Sequence, residues 1–554
     1  MAANLGTPMQ AVVISSLLLT AVYLYRKLYH KRFIQNAHIP QLPPSLLWGH
    51  LLTFDSFTKR GASDRHPDLI VADMHETLGR PPLLLLDNWP IVKPVIIIAS
   101  HEVAEQVSQS SSQLKFSVPK APTVERIADL FGYNSILLKQ NEQWKAIRTR
   151  FNPGFASQHL ATNLLPTIID TTRPYLDILD TFARTKEAFS FDLHTTNLTF
   201  DVIGAVAMEE DLKSQHIDQS CQGDMIRMFK EMISTYADDK LHLPWWLSPW
   251  VVAKRRRLGG LISQHLRRIV RRHFENTKGL GATSSRSILA LGLKETNSLT
   301  PQVLEETCDQ LKTFLFAGHD TTSTTITWVI YELSRTPHAL KAVRDELDEL
   351  FGTKSSTSNE QTDIHERLLA DGGHTLIHRM TYISAVLKEV LRLHPPAGSV
   401  RAPTMKGGFT VSTSQGKYNL NSDSFVYLNH YLIHRDKTVY GDDAEIFVPE
   451  RWLQPSGNSI PASAWRPFER GPRNCIGQEL ANIEARIVIA MLVRRYDFVK
   501  VGLGELELDD CGFPTLDQHT NQFKVKSELY PTIRITSKPV DTMMMKVKFA
   551  QEES

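Results

Sequence analysis

Cysteine is scarce in this chain: Cys221, Cys308, Cys475 and Cys511 are the only four in 554 residues, and they lie far apart. That excludes the dense disulfide framework of small secreted domains and points the folded part to a reducing compartment. No second Cys or His stands at a zinc-like spacing around Cys475, so a four-ligand zinc site has no partners there. A dominant charge sign is missing as well. With 62 Lys and Arg against 60 Asp and Glu, the formal net charge is +2, and nothing favours nucleic acid as a partner. There is no internal repeat and no long low-complexity tract. Apolar content of 42% and charged content of 22% are ordinary for a globular protein.

Charge is also absent from the first 25 residues, where Met9–Tyr25 is mostly apolar and Arg26, Lys27, Lys31 and Arg32 follow at once. A cleaved signal peptide carries its positive charge before the apolar run, whereas here the charge comes after it. The pattern therefore predicts an uncleaved transmembrane anchor over 9–25, with residues 1–8 lumenal and the basic flank cytosolic. Ile39-Pro40-Gln41-Leu42-Pro43-Pro44 reads as a stiff spacer that ends a flank-and-hinge segment over 26–45.

Helical patterning dominates from about 100 to 395, with strand-like stretches in 68–100, in 397–430 and after 496. Asn276–Ser287 and Gly352–Gly373 read as surface loops. Trp245, Trp246 and Trp250 precede the basic run Lys254–Arg257. They admit two readings, a buried loop with a solvated basic helix behind it or a second membrane contact.

The run Phe468-Glu469-Arg470-Gly471-Pro472-Arg473-Asn474-Cys475-Ile476-Gly477 sets one cysteine among arginines, glycines and a helix start. Positive company and backbone N–H groups lower a thiol's pKa, and glycines let the backbone turn tightly and approach a flat ligand. A single thiolate with open coordination suits haem iron; the plain alternative is a buried structural cysteine. Thr300-Pro301 opens a long helix with Thr as N-cap and Pro at its first position. Its middle, Ala317-Gly318-His319-Asp320-Thr321-Thr322, is rich in weak helix formers, and a threonine there can bond back to a carbonyl four residues earlier and loosen the helix. Glu389 and Arg392 share a helix face at i,i+3, as Glu332 and Arg335 do; the first pair is set apart by its context, a helix stop at His394-Pro395-Pro396 and then Phe447-Val448-Pro449-Glu450-Arg451-Trp452.

The F-x-x-G-x-R-x-C-x-G loop resembles the haem-ligand loop of the cytochromes P450. The A-G-x-D-T-T segment, the E-x-x-R pair and Pro449-Glu450-Arg451-Trp452 resemble that family's other motifs, and residues 39–44 resemble the proline-rich hinge of its microsomal members. The finer detail resembles the P450 monooxygenases of fungal secondary metabolism. The resemblance implies a predominantly α fold with small β-sheets, the cytochrome P450 fold, over 46–537, preceded by the transmembrane helix and followed by a C-terminal tail over 538–554. It implies haem b (iron protoporphyrin IX) with Cys475 as axial iron ligand and Phe468 beside it. Trp144, Arg148, Arg401 and Arg473 are implied contacts of the haem carboxylates. Asp320 and Thr321 are implied to supply protons, and Glu389, Arg392 and Arg451 a buried charge network. Gly398, Ser399, Val400, Phe314 and Ala317 fall where the family lines its substrate pocket. Glu469 departs from the pattern, standing where many members have glycine; Tyr440 departs too, where Trp is common.

The function implied is a monooxygenase that inserts one atom of O2 into a small apolar molecule. It would be anchored in the endoplasmic reticulum with its catalytic domain cytosolic. Residues 476–554 leave no room for a flavin domain, which implies a separate NADPH–cytochrome P450 reductase, with cytochrome b5 as a second electron donor. Two rivals stand beside it: a haem-thiolate isomerase or dehydratase that needs no reductase, and a non-catalytic haem-binding sensor.

Overall fold

A computed structural model describes residues 7–237, 248–278, 285–352, 364–405, 407–453 and 460–550. Helix α1 (Thr7–Tyr29) carries exposed Val12, Leu17, Leu19 and Val22, and the stretch Gln10–Ile34 is long and apolar enough to cross a membrane. The basic flank is not uniformly solvated. Arg32 is fully buried, pairs with Asp87 and donates to the carbonyl of Leu47 at 3.1 Å. The proline-rich segment is docked rather than free: Ile39 joins an apolar cluster, and Leu85 N–H donates to the Pro40 carbonyl at 2.9 Å.

The main sheet follows from period-two burial. Strand β1 (Leu83–Leu86) pairs antiparallel with β2 (Val95–Ile98). Leu83, Leu85, Ile96 and Ile98 face one apolar cluster, while Leu84, Leu86 and Ile97 face another. Strand-like residues 68–77 are instead helical (Pro67–Thr77), because Pro67 sits at the first helical turn and His66 accepts from Asp68 N–H.

Helix α2 (Asn141–Phe151), α3 (Phe191–Met208), α4 (Pro249–Lys278) and α5 (Pro301–Arg335) follow. Trp250, at the start of α4, is 85% exposed, which removes the buried-loop reading for that tryptophan; Trp245 and Trp246 lie outside the described residues. Of the two expected loops, 279–284 and 353–363 also lie outside them, whereas α4 runs on to Lys278 and Ile364–Leu369 is helical.

Helix α5 is the axis of the molecule. Thr300 Oγ1 accepts from Val303 N–H at 3.3 Å, Pro301 fills the first helical position, and buried residues run from Leu304 to Leu333 on all its faces. Helix α3 lies against it so closely that a Cβ on Gly318 would meet Ile203 Cγ1 at 2.8 Å. Helix α6 (Thr381–Leu393) has no cap of its own; the Glu346 carboxylate accepts from the N–H groups of Tyr382 and Ile383.

Strands β3 (Ser399–Arg401) and β4 (Phe425–Leu428) complete the first sheet in the order β1-β2-β4-β3. After helix α7 (Gln478–Arg495) come β5 (Tyr496–Lys500), β6 (Thr536–Pro539) and β7 (Met544–Phe549). The tail expected from 538 is therefore corrected. Strand β7 is the central strand of a three-stranded sheet between β5 and Phe189–Ser190, with Met545 and Val547 buried.

Candidate functional site

Helix α5 passes over the segment preceding α7. Between them lies a cavity of about 290 Å³. Ile203, Phe314, Ala317, Gly318 and Thr321 line it from the α5 side, with Phe468, Cys475 and Ile476 on the loop side. Gly398 and Ser399 line it too, but Val400 does not: its carbonyl turns away to accept from Ala121 N–H.

The cysteine loop is shaped by its own residues. Gly471 has φ +76°, and a Cβ there would fall 2.2 Å from the Ser108 carbonyl oxygen, so only glycine fits. Cys475 N–H donates to the Phe468 carbonyl at 2.8 Å, which folds the loop back and turns Sγ to the cavity. Burial pushes the Cys475 thiol up, against the pull of the Gly477 N–H, Arg148 and Lys120. The cations that act on it are Arg148 and Lys120 rather than the loop's own arginines, since Arg470 binds Glu105 and Arg473 donates to the Lys139 carbonyl; a metal coordinated there would deprotonate the thiol.

One edge of the cavity is cationic. Trp144 and Arg148 on α2 reach it together, and Arg148 is fixed by Asn474 Oδ1 at 2.9 Å and Asn152 Oδ1 at 3.0 Å. Arg473 lies over the Trp144 ring, 4.7 Å from its centroid, and donates to the Lys139 carbonyl. Burial, with Arg401 and Arg148 nearby, brings the Arg473 guanidinium down to about 9. Arg401 is the expected contact that does not line the cavity. It is fully buried in β3, donates to Ser117 Oγ and the Val118 carbonyl at 3.3 Å, and its Nη2 lies 3.5 Å from Glu469 Oε2.

Asp320 and Thr321 face different ways. Thr321 lines the cavity and donates to the Ala317 carbonyl at 2.8 Å, the back-bond that its place in the helix predicts. Asp320 is buried against β6, where it accepts from Thr536 Oγ1 at 2.7 Å and lies 3.5 Å from Lys538 Nζ. Lys538 also binds Asp192 at 2.8 Å, and the two carboxylates outweigh burial to raise its pKa. Glu389, Arg392 and Arg451 meet behind the loop. Arg392 grips Glu389 with Nε at 2.9 Å and Nη2 at 2.7 Å, Arg451 Nε adds 2.9 Å, and Trp452 Nε1 donates to the same carboxylate. Tyr440, at the second departure, packs its ring 4.9 Å from the Arg392 guanidinium.

Three ionisable residues of the cavity went unmarked in the sequence, along with much of its apolar lining. Lys120 donates to Ser399 Oγ at 2.8 Å, and burial, then Arg401, depress its pKa well below the usual range. His430 is brought down to about 4 by burial. Glu484 is buried on the apolar stripe of α7 with Leu480, Ile483 and Ile487, and burial raises its carboxyl well above the usual range. An acid on an apolar stripe is a readable signal; nothing around Lys120 in the sequence marks it.

The family model for cytochrome P450 matches residues 40–526. The chain belongs to the cytochrome P450 family. Haem is the cofactor of these oxidoreductases, and the monooxygenase class extends to this chain. It is 29% identical over 464 residues to the cytochrome P450 monooxygenase acrF of Aspergillus aculeatus, covering 79% of this chain and 89% of that one. A bifunctional cytochrome P450/NADPH–P450 reductase of Gibberella moniliformis is 28% identical over 309 residues, 55% of this chain and 26% of that protein. Among solved structures, a crystal structure of the P450 CYP102L1 superposes with a TM-score of 0.67 at 19% identity, covering 87% of this chain and 98% of that one, a likeness of fold.

The cavity fits the P450 cofactor. Apolar walls suit the two faces of a flat macrocycle, one thiol suits the iron, and Lys120, Arg148 and Arg473 suit carboxylates at one edge. Among the described residues, no group of three or more His, Cys, Asp or Glu side chains is placed to hold a metal ion.

Proposed function

We propose that this P450 holds haem with the Cys475 thiolate on the iron and inserts one atom of O2 into a small apolar molecule. The observation that carries the reading is the placement of Cys475 Sγ in the cavity wall across from Thr321, with cations gathered at one edge. Haem, when bound, supplies the redox centre at which O2 is reduced, one atom going to the substrate and the other to water.

The chain's residues do the rest. Arg148, Arg473 and Trp144 orient the cofactor by its carboxylates. Phe314, Ala317, Ile203 and Gly398 exclude water and present apolar surface to the substrate. The Thr321 hydroxyl, free to exchange its bond to the Ala317 carbonyl, orients a proton donor towards the reacting oxygen. Asp320, held by Thr536 and Lys538, is the second residue of that proton-delivery pair. Electrons come from an NADPH-dependent reductase, and the reductase fused to the Gibberella relative supports that source. The apolar α1 and its basic flank support an anchor in the endoplasmic reticulum membrane with the catalytic domain in the cytosol.

The role of Thr321 has a direct test in Thr321→Ala, with substrate and reductase present. Product per NADPH should fall severalfold while hydrogen peroxide rises. Alanine is the better helix former, so the fold should not suffer. Unchanged coupling in a correctly ligated variant would contradict the assignment.

A further inference from the structure

Glu469 is the residue of the cysteine loop least explained by the chemistry above. It occupies the left-handed region at φ +56°, which glycine adopts freely and a side chain adopts at a cost. It nonetheless puts a carboxylate, 8% exposed, into the cavity wall. Its Oε1 accepts from Arg466 Nη2 at 2.6 Å and Nε at 3.0 Å, and its Oε2 faces Arg401 Nη2 at 3.5 Å. Arg466 is itself buried, tied to Ser108 Oγ and the Ala104 carbonyl. Burial pushes the Glu469 carboxyl up, but Arg466, His430, Arg401 and Lys120 together hold it down at about 2, so it is ionised at every working pH.

This inference rests on the haem reading. We propose that Glu469 is a fixed anion built into the cysteine loop, which retains Arg401 behind the cavity wall and lowers the reduction potential of the haem iron. The reasoning is electrostatic. Glu469 lines the cavity and Arg401 does not, so a haem carboxylate approaching Arg401 meets Glu469 first. A buried negative charge near the iron disfavours the added electron of the ferrous state, because charges interact strongly where water is excluded. Arg466 offsets part of that charge, yet it points away from the cavity towards Ser108 and the Ala104 carbonyl.

The test uses the full-length haem-loaded protein and its Glu469→Gln, Arg401→Ala and double variants. Two quantities are read: the midpoint potential of the ferric/ferrous couple and the rate of haem loss to an apo-globin acceptor. Glu469→Gln keeps size and shape, retains one acceptor oxygen and removes the charge. It should favour the ferrous form by about tenfold in equilibrium constant, a positive shift of about 59 mV for one electron. Arg401→Ala should hardly change haem loss while Glu469 is present, and should speed it severalfold in the Glu469→Gln background, where Arg401 is released to the cofactor. An unmoved potential, or an equal effect of Arg401→Ala in both backgrounds, overturns the proposal. If Glu469→Gln does not fold, the variant Arg466→Leu with Glu469→Gly removes the Arg466 charge together with its carboxylate and relieves the backbone, and the Arg401→Ala comparison is made there with the same two outcomes. Failure of the parent protein to bind haem through a thiolate would instead strike the haem reading, which its absorption spectrum reports separately.

Discussion

Lys538 does more than any single motif residue to hold the proton-delivery side of the site. Its ammonium is buried between Asp192 at 2.8 Å and Asp320 at 3.5 Å, and it also donates to Ser323 Oγ and Thr196 Oγ1. Replacing it with methionine strands two buried carboxylates, a loss of about 3–5 kcal/mol for a broken buried pair. Chemical denaturation of Lys538→Met should show that loss, and Lys538→Arg should recover part of it; a change below about 1 kcal/mol would mean that the pair adds nothing. Asp320 and Thr321 are legible in the sequence because they sit in a motif of weak helix formers. Lys538 is not, since its partners lie more than 200 residues away and only the folding of β6 against α5 and α3 brings them together. The same contrast separates Glu389 from Glu332. Both head an E-x-x-R, and spacing alone cannot show that Glu332 is also buried, against His394 Nε2 at 2.9 Å and Gln522 Nε2 at 3.0 Å.

Elements that carry the site were legible where caps and breakers mark them. Thr300-Pro301 opens α5, and His394-Pro395-Pro396 follows the last residue of α6. Legibility failed at the C-terminus, where Thr536–Pro539 is a short, mostly polar strand buried throughout, and Met544–Phe549 alternates buried Met545 and Val547 with exposed Lys546 and Lys548 over too few residues to show what it pairs with. Thr536–Pro539 pairs locally with Pro531–Arg534, but the place of Met544–Phe549 depends on partners far away in the chain, β5 and Phe189–Ser190, which periodicity does not report. Deleting residues 538–554 should therefore not behave as removal of a tail. It takes away the central strand β7, the buried side chains of Met543, Met545 and Val547 and the Lys538 pair. The truncated protein should fail to retain haem and should be recovered aggregated; a soluble, haem-loaded product would contradict the assignment of β7 to the core.

Across the whole molecule, buried neutral histidines set an acid limit. Burial lowers His50, His194, His319, His394 and His434 below the ordinary 6.5, so each stays neutral in the fold while the unfolded chain takes up protons. Stability is full above 6.5 and falls as pH drops below it, by up to about 1.4 kcal/mol per pH unit for each such histidine. Asp68, Asp129, Asp201, Asp309 and Glu484, raised by burial, act in the opposite sense but are fewer than the lowered histidines, which also include His66, His75, His273 and His430. Unfolding free energy should thus decline from about pH 7 to about pH 5.5, and a flat profile would contradict the histidine account. The central claim is that one thiolate, Cys475, carries the iron of a haem seated between α5 and the cysteine loop. The carbon-monoxide difference spectrum of the dithionite-reduced protein tests it most directly. The parent should give the strongly red-shifted Soret band that marks a thiolate-ligated ferrous haem, and Cys475→Ala should lose it. A red-shifted band that survives in Cys475→Ala, or its absence from the haem-loaded parent, would contradict the account.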